Sequence, residues 1–192
     1  MPPKARITKE DIIKTTVNLV RENGTDCINA RSIAAALNCS TQPIFSNFES
    51  MEDLERAVIL SAYDQYLNFI KFEVESNKYP QYKSFGMAYV RFAKEEKELF
   101  KLLFMRDRTD EEPFFSSDFE ESVEIIMNTN GISREKATLL HLEMWTCVHG
   151  IGTMLATSFM QLEWDIISDI LSDIYHGISA KYVSEGNKNE CN

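Results

Sequence analysis

Polar side chains that could hydrogen-bond to the edges of DNA bases are grouped near residue 45. Ile44 and Phe48 are four residues apart, which predicts a short helix with one apolar face turned toward a core. The opposite face carries small hydroxyl and amide groups: Thr41, Gln42, Ser46 and Asn47. Gln42 has the amide that pairs with adenine through two hydrogen bonds, so it is the predicted base reader. The alternative is an ordinary pair of packed helices.

The preceding residues supply a helix and a tight turn that would position these groups. Ile33 and Leu37 make one apolar stripe, and the three alanines between them keep that helix thin enough for a close crossing. Asn38 follows where a left-handed residue is needed, a conformation that asparagine tolerates. Ser40 is predicted to cap the next helix. Residues 29–48 therefore predict a helix-turn-helix whose second helix enters a DNA major groove.

Basic residues are concentrated near this motif. Residues 1–48 contain six basic and four acidic side chains, a net charge of +2, so the remainder of the −10 chain carries −12. This division favours phosphate contact by the N-terminal part alone. Arg31, at the start of the first motif helix, is predicted to reach a phosphate or a base edge, with a solvated surface arginine as the alternative. Lys4 and Arg6 either contact the DNA backbone or minor groove, or form a disordered arm.

Several classes of site find no support in the sequence. The four cysteines have no metal-ligand spacing and are interpreted as buried reduced thiols. The three histidines have no partners that complete a ligand set, so no metal or cofactor is predicted. No nucleophile, acid pair or phosphate loop has usable spacing, which argues against an enzyme. No apolar run approaches about 18 residues and the N-terminus lacks a signal peptide, so a cytoplasmic protein without membrane contact is expected.

Composition and capping residues predict an all-α chain of about nine helices. Only 7 Gly and 5 Pro accompany 44% hydrophobic residues, a balance that favours helices over sheets. Predicted helix starts share a Ser or Thr cap, in three cases with an acid three residues later: Thr8, Ser50, Ser117 and Ser133. The predicted domains are a DNA-binding domain over residues 1–50, a helical regulatory and dimerisation domain over 51–184, and a disordered tail over 185–192.

Taken together, the N-terminal pieces resemble the TetR family of bacterial transcriptional regulators. The likeness extends from Ile7 to Leu54 and rests on IAAALNCS at the turn, then IFSNF and ESMEDL. A weaker likeness continues in AYVRFAKEEKELFKLLF and in WTCVHG, which looks like the C-terminal domain of a subgroup marked by Trp and then His-Gly (the WHG subgroup).

The resemblance implies a homodimeric repressor that reads a pseudo-palindromic operator and is released by a small hydrophobic effector. The DNA-contacting residues implied lie on the two motif helices: Arg31, Ser40, Thr41, Gln42, Phe45, Ser46 and Asn47. The sequence departs from the family pattern at Asn38, where glycine is usual, at Phe45, where tyrosine is usual, and at Met51, where lysine is common. Pro43 is also unusual, because it removes the amide that a Ser40 cap would use.

The C-terminal domain in this family holds an effector pocket and dimerises through its last two helices. Aromatic and methionine residues are the candidates for the pocket lining, with simple core packing as the alternative: Tyr63, Phe85, Tyr89, Phe92, Phe104, Trp145, His149 and Met154. An apolar stripe on the last helix is the candidate dimer interface, with packing inside its own domain as the alternative: Ile167, Ile170, Ile174 and Ile178. A helical ligand carrier without DNA binding is the competing function.

Overall fold

The computed structural model describes residues 7–109 and 117–189, which form nine α-helices and one 3-10 turn, Thr25–Cys27. The helices are α1 (Lys9–Asn23), α2 (Ala30–Ala36), α3 (Gln42–Asn47), α4 (Met51–Glu75), α5 (Gln81–Glu95), α6 (Lys97–Phe104), α7 (Ser117–Asn130), α8 (Arg134–Ala156) and α9 (Trp164–Asn189). The predicted all-α class is confirmed.

Side-chain caps begin several of these helices where the sequence predicted them. The Thr8 hydroxyl accepts the Asp11 amide at 3.1 Å, and the Asp11 carboxylate accepts the Thr8 amide at 3.0 Å. These bonds to Thr8 hold the pKa of Asp11 below its ordinary value, because they favour the charged carboxylate. The Ser50 and Ser133 hydroxyls likewise accept amides three residues later. The Ser117 side chain lies outside the described part of the structure.

The first compact unit contains residues up to Asn68 together with Glu95–Arg106. Within it, α1 packs on α2, α3 and α6. Its fully buried side chains come from all of these elements and from α4: Ile12, Val20, Ile33, Ile44, Leu54, Val58, Leu99 and Phe100. The unit is larger than the predicted domain of residues 1–50, because the first part of α4 and the whole of α6 bury their apolar faces here.

The second compact unit contains Phe69–Lys94 and the described residues from Asp107 onward. In this unit, α8 packs on both α7 and α9. Its core is aliphatic and aromatic: Met87, Val90, Phe92, Val123, Ile126, Leu140, Leu155 and Ile167. The ammonium of Lys83 on α5 donates to the hydroxyls of Ser168 and Ser172 on α9, each at 2.7 Å, which ties α5 to the last helix.

The ends of two helices are set by the local backbone. α5 continues to Glu95, and the backbone of Glu96 (φ −119°, ψ 54°) separates it from α6, which begins at Lys97. The last helix continues to Asn189, into the segment for which a disordered tail from residue 185 was expected. Each residue added to an existing helix brings one more hydrogen bond, and no proline interrupts this segment. In the described parts of the chain, no helix is both long and apolar enough to cross a membrane.

Candidate nucleic-acid interface

The turn between α2 and α3 has the geometry that the sequence predicted. The Asn29 side chain caps α2 by accepting the Ser32 amide at 2.9 Å. Asn38 adopts φ +51°, and the Cys39 amide donates back to the Ala34 carbonyl at 3.0 Å. A left-handed residue followed by such a backbone bond is a common way to end a helix. Asparagine therefore serves where the family usually has glycine.

The start of α3 differs from the prediction. Ser40 was expected to cap the helix, but Thr41 is the N-cap residue and makes no side-chain capping bond. Pro43 is the physical reason, because it has no amide to donate to a Ser40 cap and is tolerated in the first turn. The first turn is closed by the backbone, with the Ile44 amide 3.1 Å from the Thr41 carbonyl.

The outward face of α3 presents a mixture of polar and aromatic groups. Ile44 is fully buried, as predicted, whereas Phe45 is 56% exposed. Gln42 is exposed and makes no side-chain hydrogen bond among the described residues. The Ser46 hydroxyl donates to the Gln42 carbonyl at 2.9 Å, and the Asn47 amide donates to the Pro43 carbonyl at 2.7 Å. Of the two amide side chains on α3, Asn47 is hydrogen-bonded to its own helix, whereas Gln42 is available for a base.

Two exposed basic residues belong to the helices that precede α3. The ammonium of Lys9, in the first turn of α1, lies 4.7 Å from the centre of the Phe48 ring at the end of α3. Arg31 is exposed in the first turn of α2. The sequence analysis did not select Lys9 as a candidate, although its position at the start of α1 could have been read from the Thr8 cap. Lys4 and Arg6 lie outside the described residues.

Six of the eight predicted pocket residues belong to the second unit, and three of these six form one contact cluster. The Tyr89 hydroxyl lies 2.8 Å from Nδ1 of His149, and the Trp145 ring stacks on His149 with centroids 5.7 Å apart. Burial lowers the pKa of His149 and raises the pKa of Tyr89, so both are neutral at pH 7. Tyr63 and Phe104, in contrast, belong to the first unit.

The second unit contains another tyrosine–histidine pair, which the sequence analysis did not predict. The Tyr82 hydroxyl lies 2.9 Å from Nδ1 of His141, and the Phe119 and Tyr175 rings surround the pair. Tyr82 and Tyr89 are two helical turns apart on α5, and the histidines are separated similarly on α8. The matching intervals were a signal that could have found the second pair.

The apolar stripe predicted on α9 is divided between two faces. Ile167 is fully buried inside its own unit, as is most of Leu171, so Ile167 is not available to a partner. Ile170, Ile174 and Ile178 are half-buried. Ile166, which was not predicted, is 49% exposed. Residues four apart share a helix face, so the outward row begins at Ile166 instead of Ile167.

The comparisons with known proteins concern the second half of the chain. Residues 82–172, from α5 into α9, match the family model described as "Tetracyclin repressor-like, C-terminal domain". This part of the chain is therefore similar to the C-terminal domain of TetR-family regulators. TetR-family proteins are transcriptional regulators, and the matched range is the domain that lies C-terminal to the helix-turn-helix. No curated protein is similar enough to the chain to count as a match.

Proposed function

We propose that this protein is a TetR-family regulator, a homodimeric, cytoplasmic repressor that binds a pseudo-palindromic DNA operator and is released by a small apolar effector. The observation that carries the proposal is the outward face of α3, where an exposed Gln42 stands beside the exposed ring of Phe45. A short helix with such a face fits a major groove, and a glutamine amide can bond adenine at two atoms.

Electrostatics favour DNA contact by this part of the chain only. The acidic remainder, at −12, is repelled by phosphate, whereas the first 48 residues carry +2. Arg31 in the first turn of α2 and Lys9 in the first turn of α1 are exposed basic side chains of this part of the chain, and we assign them to phosphate contacts. A modest charge predicts few such contacts, and therefore a moderate dependence of affinity on salt concentration.

The outer faces of α8 and α9 support dimerisation. On α9 the outward row comprises Ile166, Ile170, Ile174 and Ile178. On α8, Leu139 is 46% exposed and Leu142 is 38% exposed. These two helices pack on each other, so their exposed apolar side chains form a surface larger than scattered single residues would give. Two copies joined there would make a four-helix contact.

The aromatic cluster between α5 and α8 supports an effector site. Trp145 remains 43% exposed although it stacks on His149, so a ligand could reach it from solvent. The neutral Tyr89–His149 pair offers a hydrogen-bonding group beside apolar rings. An apolar or cationic aromatic molecule suits this combination. Because Trp145, His149 and Gly150 match the WHG pattern, we assign the chain to that subgroup.

Selection of bound duplexes from random oligonucleotides tests the proposal. We expect a palindromic motif, two protein chains per duplex and affinity that falls as salt rises. A pool without a shared motif after several rounds, obtained with folded protein, would instead favour a ligand carrier that does not bind DNA.

A further inference from the structure

Arg21, near the end of α1, hydrogen-bonds to three separate places in the first unit. Its Nε lies 2.8 Å from the Glu96 carboxylate, and one terminal nitrogen donates to the Asn18 side chain at 2.9 Å. The other terminal nitrogen donates to the side-chain oxygen of Gln65 on α4. The guanidinium is the side chain suited to this role, since its five N–H donors have a fixed planar arrangement.

The partners of Arg21 stand where the chain passes between the two compact units. The chain leaves the first unit after Asn68 and returns at Glu95. Gln65 is three residues before the exit, and Glu96 is the residue after the return. Glu96 also separates α5 from α6 through its non-helical backbone. One side chain of α1 therefore holds both of these crossing segments.

This arrangement is not a generic surface ion pair. The side chains of Arg21 and Glu96 are 35% and 21% exposed, and their residues are 75 positions apart. The Lys101–Glu98 pair of α6 has similar exposure, 34% and 29%, but joins two residues of one helix. The two pairs have similar solvent exposure, but only the Arg21–Glu96 pair joins distant segments of the chain. The Lys101–Glu98 pair is therefore a matched control.

We infer that Arg21 is a positioning residue that fixes the orientation of the DNA-binding helices to α4 and to the α5–α6 junction. The inference rests on the proposed function and deepens it. If the bonds from Arg21 to Gln65 and Glu96 hold α1 to both crossings, they restrict the separations that the two helix-turn-helix units of a dimer can adopt. Without Arg21, each unit samples more orientations, so the dimer tolerates operators whose half-sites are wrongly spaced.

Operators with altered spacing test this role. The selected operator is compared with versions that have one base pair added or removed at its centre, which changes the half-site separation by about 3.4 Å and about one-tenth of a turn. The proteins are the full-length chain, Arg21→Met, Arg21→Lys and the control Lys101→Met. A duplex with a single half-site is included, and thermal denaturation verifies that each variant is folded.

We expect Arg21→Met to reduce the preference for the correct spacing by about threefold or more, a typical coupling within one hydrogen-bond network. Arg21→Lys should restore the preference only in part, because an ammonium cannot reproduce the planar set of bonds. Lys101→Met should keep the full preference. In a double-mutant cycle, Glu96→Gln should add little to Arg21→Met. Binding to the single half-site should be equal for all variants.

Two results would overturn the inference while leaving the proposed function intact. One is an Arg21→Met protein that discriminates spacing as well as the full-length chain. The other is an equal loss in Lys101→Met, which would reveal a general effect of removing charge. A folded full-length chain that binds none of the duplexes would overturn the proposed function itself, and the inference with it.

Discussion

The hydroxyl of Tyr82 lies 2.9 Å from Nδ1 of His141, inside a cluster of aromatic rings. Burial lowers the pKa of His141 to about 4, so the imidazole is neutral at pH 7. Burial also raises the pKa of Tyr82 above its ordinary value, so the phenol keeps its proton at pH 7. The pair is therefore a hydrogen bond between two neutral groups.

The free energy of unfolding should decrease as the pH falls from about 6.5 to about 4, because His141 is neutral in the folded chain over this range. The unfolded chain binds a proton near pH 6.5, whereas the folded chain binds it only near pH 4. Between these values the unfolded state holds more protons, so the free energy of unfolding decreases as the pH falls, by up to about 3 kcal/mol. Urea titrations at pH 7.5, 6 and 5 measure this slope. It should shrink in His141→Gln and persist in the control His176→Gln, an exposed histidine of α9; an unchanged slope in His141→Gln contradicts the assignment.

Gln42 and Arg31 should affect DNA binding in different ways. Gln42→Ala is expected to cost about 1–3 kcal/mol at one base position in each half-site and to relax the preference there. Arg31→Ala should weaken binding to all sequences and make affinity less dependent on salt, if its contact is a phosphate. Fluorescence anisotropy with the operator and single-base variants separates the two patterns. Equal affinity of Gln42→Ala and the unaltered chain for the operator would rule out base reading by this residue.

Charged residues on the outward row of α9 should prevent dimerisation. Ile170→Glu combined with Ile174→Glu places two carboxylates on a surface that a partner would bury, where an unpaired charge is strongly unfavourable. We expect sedimentation to give monomers that have lost operator binding. Phe72→Glu is the control, because Phe72 is 63% exposed and belongs to α4, which is not one of the two helices of the proposed interface. A full-length chain that is monomeric at micromolar concentration would contradict the proposed dimer.

The ion pair between Arg91 and Glu73 should be a stability element of the second unit. Glu73 is 2% exposed, and its carboxylate lies 2.5 Å from Nε of Arg91. Arg91→Met would leave a buried carboxylate without this partner, which typically costs about 3–5 kcal/mol. Lys71→Met removes an exposed pair with Glu75 and should change the unfolding free energy little. Chemical denaturation compares the two, and equal effects would argue against a special role for the buried pair.

An effector of the aromatic cluster should be detectable through Trp145. We expect an apolar or cationic aromatic compound that raises the melting temperature to change Trp145 fluorescence and to weaken operator binding. Tyr89→Phe removes one hydroxyl and should raise the concentration required. Phe92→Ala is a poorer test, because Phe92 is fully buried against Phe69 and its truncation costs about 3–5 kcal/mol. Compounds that stabilise the protein yet leave DNA affinity unchanged would separate this site from regulation.

Local features of the fold could be predicted because they depend on a few neighbouring residues. The Thr8–Asp11 capping box, the Ser133 cap and the left-handed Asn38 all follow from side chains within four positions of one another. The Ser40 cap failed for an equally local reason. Pro43 lacks the amide that a Ser40 cap would use, and in the structure Thr41 is the N-cap residue instead.

Features that depend on distant contacts were beyond the sequence patterns. Periodicity placed Ile167 on an apolar stripe, but only the packing of α9 on α8 shows that Ile167 faces inward and Ile166 outward. The packing of α6 on α1 joins helices that begin at Lys97 and Lys9, and no pattern within either segment predicts that contact. Pairings such as Tyr82–His141 join residues 59 positions apart, and no local rule selects the partner.

Gly150 on α8 and Gly177 on α9 are places where an added methyl group would meet no atom within 4 Å. Each glycine lowers the stability of its helix by up to about 1 kcal/mol relative to alanine, and packing within one chain gives nothing in return. If a second chain covers these positions, its close approach supplies the missing free energy, and folding becomes linked to assembly. The melting temperature would then rise with protein concentration. In a cell that makes little of this protein, a larger fraction would be monomeric and less stable, so the abundance of the regulator would also affect its lifetime.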